Sequence, residues 1–270
     1  MNIAEKITRA KTDYDEVYKA GKQEGKLEGK QSEYDRFWDA FQDNGTRTNY
    51  NYAFAARSWN LETFKPKYDL ICTSCTYMFG TCSVEDIEAA LFNLGITLDT
   101  SQSKYMQSML CYNYWVKVLP VISAESMETA LIGTFDTATS LETIRKFVLK
   151  QDGSNTFDRT FKQCTGLKNI LIEGVIGDNF DIRYSPLTRE SMMGKEITAD
   201  EYNALSENVQ TNNVYVKDGK YYYGGVITAL SPTVSGKTVY FKKTAKTVAF
   251  TDTEWSELIA TKPNWTFTLV

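Results

Sequence analysis

Phe161-Lys-Gln-Cys164-Thr-Gly-Leu167-Lys-Asn-Ile170-Leu-Ile172 is the stretch on which the fold turns. Ile170 and Ile172 lie two apart, so a short strand presents both to one side, while Phe161 and Leu167 fill the layer behind. One such unit cannot bury its own apolar face, so copies of it must stack. Copies are present upstream. Phe135, Leu141 and Ile144 precede it, and Leu110, Val116, Leu119 and Val121 precede those. The offset of about 25–26 residues falls within the roughly 20–29 of a leucine-rich repeat.

Working outward, residues 46–100 read as an irregular lead-in. A helix is expected there from Ser83 to Asn93, with Ser83 as N-cap, Asp86 at the third helical position and Gly95 closing it. Ile96-Thr-Leu98 reads as a strand. Residues 1–45 read as helix. Ile3, Ile7, Ala10, Tyr14 and Val17 follow spacings of four and three, a coiled-coil-like seam. Gly21, Gly25 and Gly29 interrupt it, each costing about 1 kcal/mol against alanine. Tyr34, Phe37, Trp38 and Phe41 then resume one helix face, and Asn44-Gly45 ends it. So short a seam needs partners. The expectation is a homo-oligomer, a trimer over a dimer, joined through this stem. The competing reading is a helix packed on its own body.

Downstream, residues 194–225 leave the repeat. Thr198-Ala-Asp-Glu201 forms a capping box that starts a short helix to about Glu207, and 208–213 reads as loop. Val214-Tyr-Val216 and Tyr221-Tyr-Tyr223 flank Asp218-Gly219, a strong hairpin signal. The segment reads as a helix-plus-hairpin insertion. Tyr215, Tyr221, Tyr222 and Tyr223 are its candidate recognition residues, with Tyr221 and Tyr223 on one face and Tyr222 on the other. Packing of the hairpin onto the body is the plainer alternative. Residues 226–270 resume and cap the stack. Val226–Leu230 reads as the end of the interrupted helix and Lys237–Phe241 as a strand. A capping box at Thr251–Glu254 starts a helix burying Trp255, Leu258 and Ile259. After Pro263, Trp265–Leu269 is the last strand. The expected fold is therefore α/β: a helical stem (1–45) and a short leucine-rich-repeat solenoid body (46–270).

Composition narrows the function. Hydrophobic residues make up 42% and charged residues 24% of 270, with net charge -4, so no basic face for nucleic acid is expected. There is no histidine, which removes the commonest general base and metal ligand. Cys72, Cys75, Cys82, Cys111 and Cys164 are odd in number, and Cys72-Thr-Ser-Cys75 lacks the further ligands of a zinc site, so buried thiols are expected. Asp152, Asp158, Asp178 and Asp181 are too sparse for a calcium loop. No nucleophile elbow, phosphate loop or dinucleotide fingerprint occurs. No catalytic residue, metal or cofactor is expected. No apolar run is long enough to span a bilayer, and Met1-Asn-Ile-Ala-Glu-Lys6 lacks the basic start and apolar core of a signal peptide, so synthesis in a cytoplasm is expected.

The F-x-x-C-x-x-L-x-x-I-x-I pattern at 161–172 resembles the bacterial surface type of leucine-rich repeat, the BspA-like family. Further stretches resemble leucine-rich-repeat proteins encoded by bacteriophages of Gram-positive and gut bacteria. These are Tyr34-Asp-Arg-Phe37-Trp38-Asp-Ala-Phe41, Ile172-Glu-Gly-Val-Ile176, Ser185-Pro-Leu-Thr188 and Phe250-Thr-Asp-Thr-Glu-Trp255 to Trp265. The resemblance implies a virion structural protein on the tail, baseplate or fibre, its stem docked to the particle through Phe37, Trp38 and Phe41, touching other virion proteins and a host-surface glycan or protein, and it supplies no active-site residues. Alternatives are a purely architectural head fibre or decoration protein, a bacterial cell-surface adhesin, and a glycan-cleaving enzyme using a carboxylate pair.

Overall fold

The computed structural model describes residues 30–56 and 58–270. Among them the chain is mixed α/β, with seven α-helices and several small sheets. The decisive stretch forms β7 (Asn169–Glu173), which pairs in parallel with β5 (Thr143–Val148), and β5 pairs in parallel with β3 (Val118–Ser123). Leu119 faces Ile144 and Ile144 faces Ile170, so identical positions of successive units lie side by side. All three are buried, as are Leu141, Leu167, Phe135 and Phe161 behind them. The Phe135 and Phe161 rings stack at 5.2 Å. The buried Cys164 thiol donates to the Phe135 carbonyl at 2.9 Å, so the cysteine of the pattern ties one unit to the one before.

On the other side of each unit runs a second ladder, made of turns. Tyr52 and Phe54 donate their N–H groups to Thr76 and Met78. Tyr77 and Phe79 donate to Gln107 and Met109, Ser108 and Leu110 to Ile132 and Thr134, and Gly133 and Phe135 to Asp158 and Thr160. The ladder includes β4 (Leu131–Ile132) and β6 (Phe157–Asp158). In each turn the residue two before the buried column has left-handed backbone: Tyr52 (φ 59°), Tyr77 (54°), Ser108 (56°), Gly133 (57°) and Arg159 (53°). The same turn is thus built five times, from four different residue types.

This corrects the irregular lead-in: the stacked turns begin at Tyr50, with Phe54 stacked on Phe79 at 5.4 Å. The expectation failed because the second unit carries a helix, α2 (Ile87–Leu94), which lengthens it and breaks the 25-residue echo. β1 (Leu70–Ile71) and β2 (Leu98–Asp99) pair in parallel across this longer unit. The N-cap of α2 is Asp86, whose carboxylate accepts from Ala89 N at 2.8 Å, not Ser83, whose hydroxyl donates to the Trp59 carbonyl. Gly95 closes the helix in the left-handed conformation, as expected.

Helix α1 (Lys30–Phe41) closes the N-terminal end. Phe37 and Trp38 are buried and Phe41 is partly buried, within an aromatic cluster with Phe54, Trp59 and Phe64. The fully buried Gln42 fixes the junction. Its carbonyl accepts from Lys67 N (2.7 Å) and Tyr68 N (3.1 Å), and its amide donates to Tyr68 O (2.8 Å). Phe37, Trp38 and Phe41 therefore do not form the exposed docking surface expected of them, because a bare end of stacked core gains more from covering itself. The seam residues Ile3, Ile7, Ala10, Tyr14 and Val17 lie outside the described residues.

Beyond β7 the chain runs through β8 (Phe180–Asp181) and α3 (Arg189–Met193), makes the insertion, and returns as β12 (Lys237–Phe241) and β13 (Trp265–Leu269). β8, β12 and β13 pair in parallel. Asn179 and Thr238 meet across β8 and β12 although 59 residues apart. Removing the 32 residues of 194–225 leaves 27, close to the 28 between Lys237 and its partner Trp265. Val226 N donates to Ser191 O at 2.9 Å, so the chain rejoins beside its point of departure. Residues 226–229 form a turn, not the expected helix end. Helix α6 (Lys243–Ala249) is an addition to the expected cap. Helix α7 (Asp252–Ala260) carries the expected capping box and buries Trp255 and Leu258.

Candidate recognition cleft

The insertion starts at Gly194, which has a backbone (φ 127°) that side chains rarely adopt, and any Cβ there would strike the Tyr222 backbone. It contains β9 (Gly194–Ile197), α4 (Ala199–Ala204), α5 (Glu207–Asn213), β10 (Val214–Lys217) and β11 (Lys220–Gly224). The capping box at Thr198 is present, whereas the expected loop at 208–213 is helical. β10 and β11 pair antiparallel around Asp218 (φ 51°) and Gly219 (φ 74°), the two left-handed residues a tight hairpin demands. β9 adds to the other edge of β11.

The pleat sends the four tyrosines to different fates. Tyr215 and Tyr222 are cross-strand partners, 6.1 Å between ring centroids, and line a cleft of about 310 Å3. Tyr221 stacks on Tyr202 of α4 at 4.2 Å. Tyr223 is buried, and its hydroxyl donates to the Glu173 carboxylate of β7, which also binds Lys146 at 2.8 Å. Burial and the Glu173 bond push the Tyr223 hydroxyl far up. Burial raises Glu173, but its bonds to Lys146 and Tyr223 outweigh that and hold it below the usual carboxylate value. Tyr223 is thus a fastener between insertion and stack, which corrects its reading as a recognition residue. Tyr221 is largely committed to Tyr202, and Tyr215 with Tyr222 keep an accessible face.

The opposite wall of the cleft comes from distant sequence. Arg189 lies over Phe250 (4.6 Å), donates to Ala249 O (2.9 Å) and pairs with Glu254 (3.0 Å). Glu254 also closes the capping box. The Thr251 N–H, the Thr251 hydroxyl and Arg189 together lower its carboxyl to about 2. Lys217 and Lys220 flank the hairpin turn and bind Glu257 and Glu196, and these partners raise both lysines. The cleft therefore offers two tyrosine faces and cations that are each neutralised locally. Such a surface suits hydroxyl-rich or amide-bearing partners better than a highly charged one. Lys217 and Lys220 were not among the expected residues, although they adjoin the Asp-Gly turn. Neither were Arg189, Phe250 and Glu254, and nothing local brings positions about 60 apart together.

Comparison with family models, with curated proteins and with solved structures finds no match.

Elsewhere, all five cysteines are buried, and burial raises each thiol, to about 12 for Cys75 and Cys82 and about 11 for Cys111. Among the described residues no group of three or more histidine, cysteine, aspartate or glutamate side chains could hold a metal ion. No helix among them is long and apolar enough to cross a membrane.

Proposed function

We propose that this chain is a non-enzymatic interaction protein: a short leucine-rich-repeat solenoid whose inserted hairpin presents a recognition cleft. One observation carries the reading. Units spaced 25, 26 and 28 residues pair in parallel, and the longest excursion from that spacing bears the partly buried pair Tyr215 and Tyr222, which lines a cleft. Insertions on repeat stacks hang from loops and often carry recognition. The cleft carboxylate Glu254 is tied to Arg189 and its own helix cap, which favours binding over acid–base chemistry.

Within this reading the chain is a bacteriophage virion component on the tail, baseplate or fibre. It assembles as a homo-oligomer through the seam at Ile3, Ile7, Ala10, Tyr14 and Val17 and contacts host surface or neighbouring virion proteins. Several modest sites on one oligomer would raise avidity through effective concentration. With Phe37 and Trp38 buried and Phe41 packed against the same core, attachment falls to other surfaces.

The test compares the intact chain with one lacking residues 195–224, both checked for mass by light scattering, in binding to cells of the encoding phage's host. Binding lost at unchanged oligomer mass supports recognition by the insertion. Binding by neither form sinks adhesion and leaves the architectural alternative.

A further inference from the structure

The ladder of turns is interrupted once. In every earlier turn the left-handed residue and the one two beyond it donate their N–H groups to the next turn, as Gly133 and Phe135 do to Asp158 and Thr160. Their register mates, Arg159 and Phe161, aim N–H groups the same way and meet no acceptor among the described residues. The next turn, around Phe180, has no left-handed residue and cannot mesh with them. It pairs onward instead, with Ile182 N donating to Tyr240 O at 3.1 Å.

What remains at the break is a cleft of about 430 Å3, within the roughly 300–1,000 Å3 of small-molecule sites. Its floor is aromatic, with Phe157 and Phe161 against Phe180 at 5.0 and 5.4 Å. Arg183 is held by Asp181 at 2.8 Å and lies over Tyr240, so it is occupied. Arg159 reaches Asp158 only at 3.6 Å, and Lys162 pairs with no carboxylate among the described residues. Tyr184, 39% exposed, stands at the rim. Two loosely held cations, two N–H donors without a protein acceptor and an exposed ring thus line one cleft.

We propose that this cleft binds an acidic saccharide: the carboxylate of a uronic acid residue meets Lys162 and the N–H groups of Arg159 and Phe161, and its ring lies on Tyr184. Charge-assisted bonds to a carboxylate are the strong kind, and a sugar's apolar face suits an exposed tyrosine. The site stands on this break in the ladder alone and does not require the particle reading.

The experiment is an amide-resolved NMR titration of the full 15N-labelled chain with D-glucuronate, with glucose and with acetate. The expected result is a saturable shift of the Arg159 and Phe161 amides with glucuronate, at least about tenfold weaker with glucose or acetate, which corresponds to about 1.4 kcal/mol. Lys162→Gln and Tyr184→Ala should each weaken glucuronate about tenfold while leaving distant amides in place. No saturable shift with glucuronate overturns the assignment. So does acetate binding as well as glucuronate, which would make this a bare anion site, or Lys162→Gln binding unchanged.

Discussion

Ser108 and Gly133 occupy the same place in successive turns, with φ of 56° and 57°. A left-handed backbone costs an L-residue roughly 1–2 kcal/mol, and glycine escapes that penalty. A Cβ at Gly133 would meet nothing nearer than 3.5 Å, so backbone strain is all that a side chain there would add. Gly133→Ala should therefore destabilise by about 1 kcal/mol and Ser108→Gly should stabilise by up to about 1 kcal/mol, read from urea midpoints at unchanged slope. Equal effects of one sign would refute a shared turn geometry. Phe161→Ala, in the buried column, should cost about 3–5 kcal/mol in the same assay. Glu254 makes a prediction in pH. Its folded value, about 2, lies below its ordinary 4.5, so the unfolded chain binds more protons between the two. The stability that Glu254 contributes is complete above about 4.5 and is lost as pH falls toward 2. Glu254→Gln should flatten that acid limb in thermal melts between pH 5 and 2.5; an unaltered slope would show that the carboxylate is not held.

At the scale of elements, the two capping boxes were plainly legible. The boxes at Thr198 and Thr251 were read from four residues each, because capping is satisfied locally. Thr251→Ala should cost about 1 kcal/mol of stability, and circular dichroism during unfolding would reveal whether α7 frays first. The Asp218-Gly219 hairpin was legible for the same local reason. The 161–172 pattern disclosed its strand and its parallel neighbours because alternation and an undisturbed 25–26-residue spacing coincide there. Where they do not, the reading failed. The turns at Tyr52 and Tyr77 use tyrosine where a sequence signal would be glycine or asparagine, and α2 stretches the spacing around them. Phe37 and Trp38 carry the same face pattern whether they cover their own stack or another molecule, so the pattern could not choose; the exposed end of the core did.

For the whole molecule, a stack in which each unit touches mainly its neighbours has stability close to a sum of units and interfaces. The weak seam is the break between the turns at Phe157 and Phe180, bridged by ring contacts and by the Ser185 hydroxyl on Cys164 O rather than by the ladder. Hydrogen exchange should show units up to Phe161 protected longer than those from Phe180 onward, opening in two groups; uniform protection would mean that the parallel sheet alone couples both sides. Deleting 195–224 should leave this pattern intact apart from Gly174, whose N–H loses the buried Asn213 side-chain carbonyl, and Glu173 and Lys146, which lose Tyr223.

The meeting of Gly194 and Gly225 has an evolutionary consequence. A Cβ on Gly225 would lie 2.4 Å from Gly194 N, so the two ends of the excursion touch. A loop closed at its base can be exchanged for another of different length at little entropic penalty, since closure cost grows only slowly with length. Lineages could thus replace the outward-facing segment by recombination while inheriting the scaffold unchanged, and variation among descendants should concentrate between those two glycines.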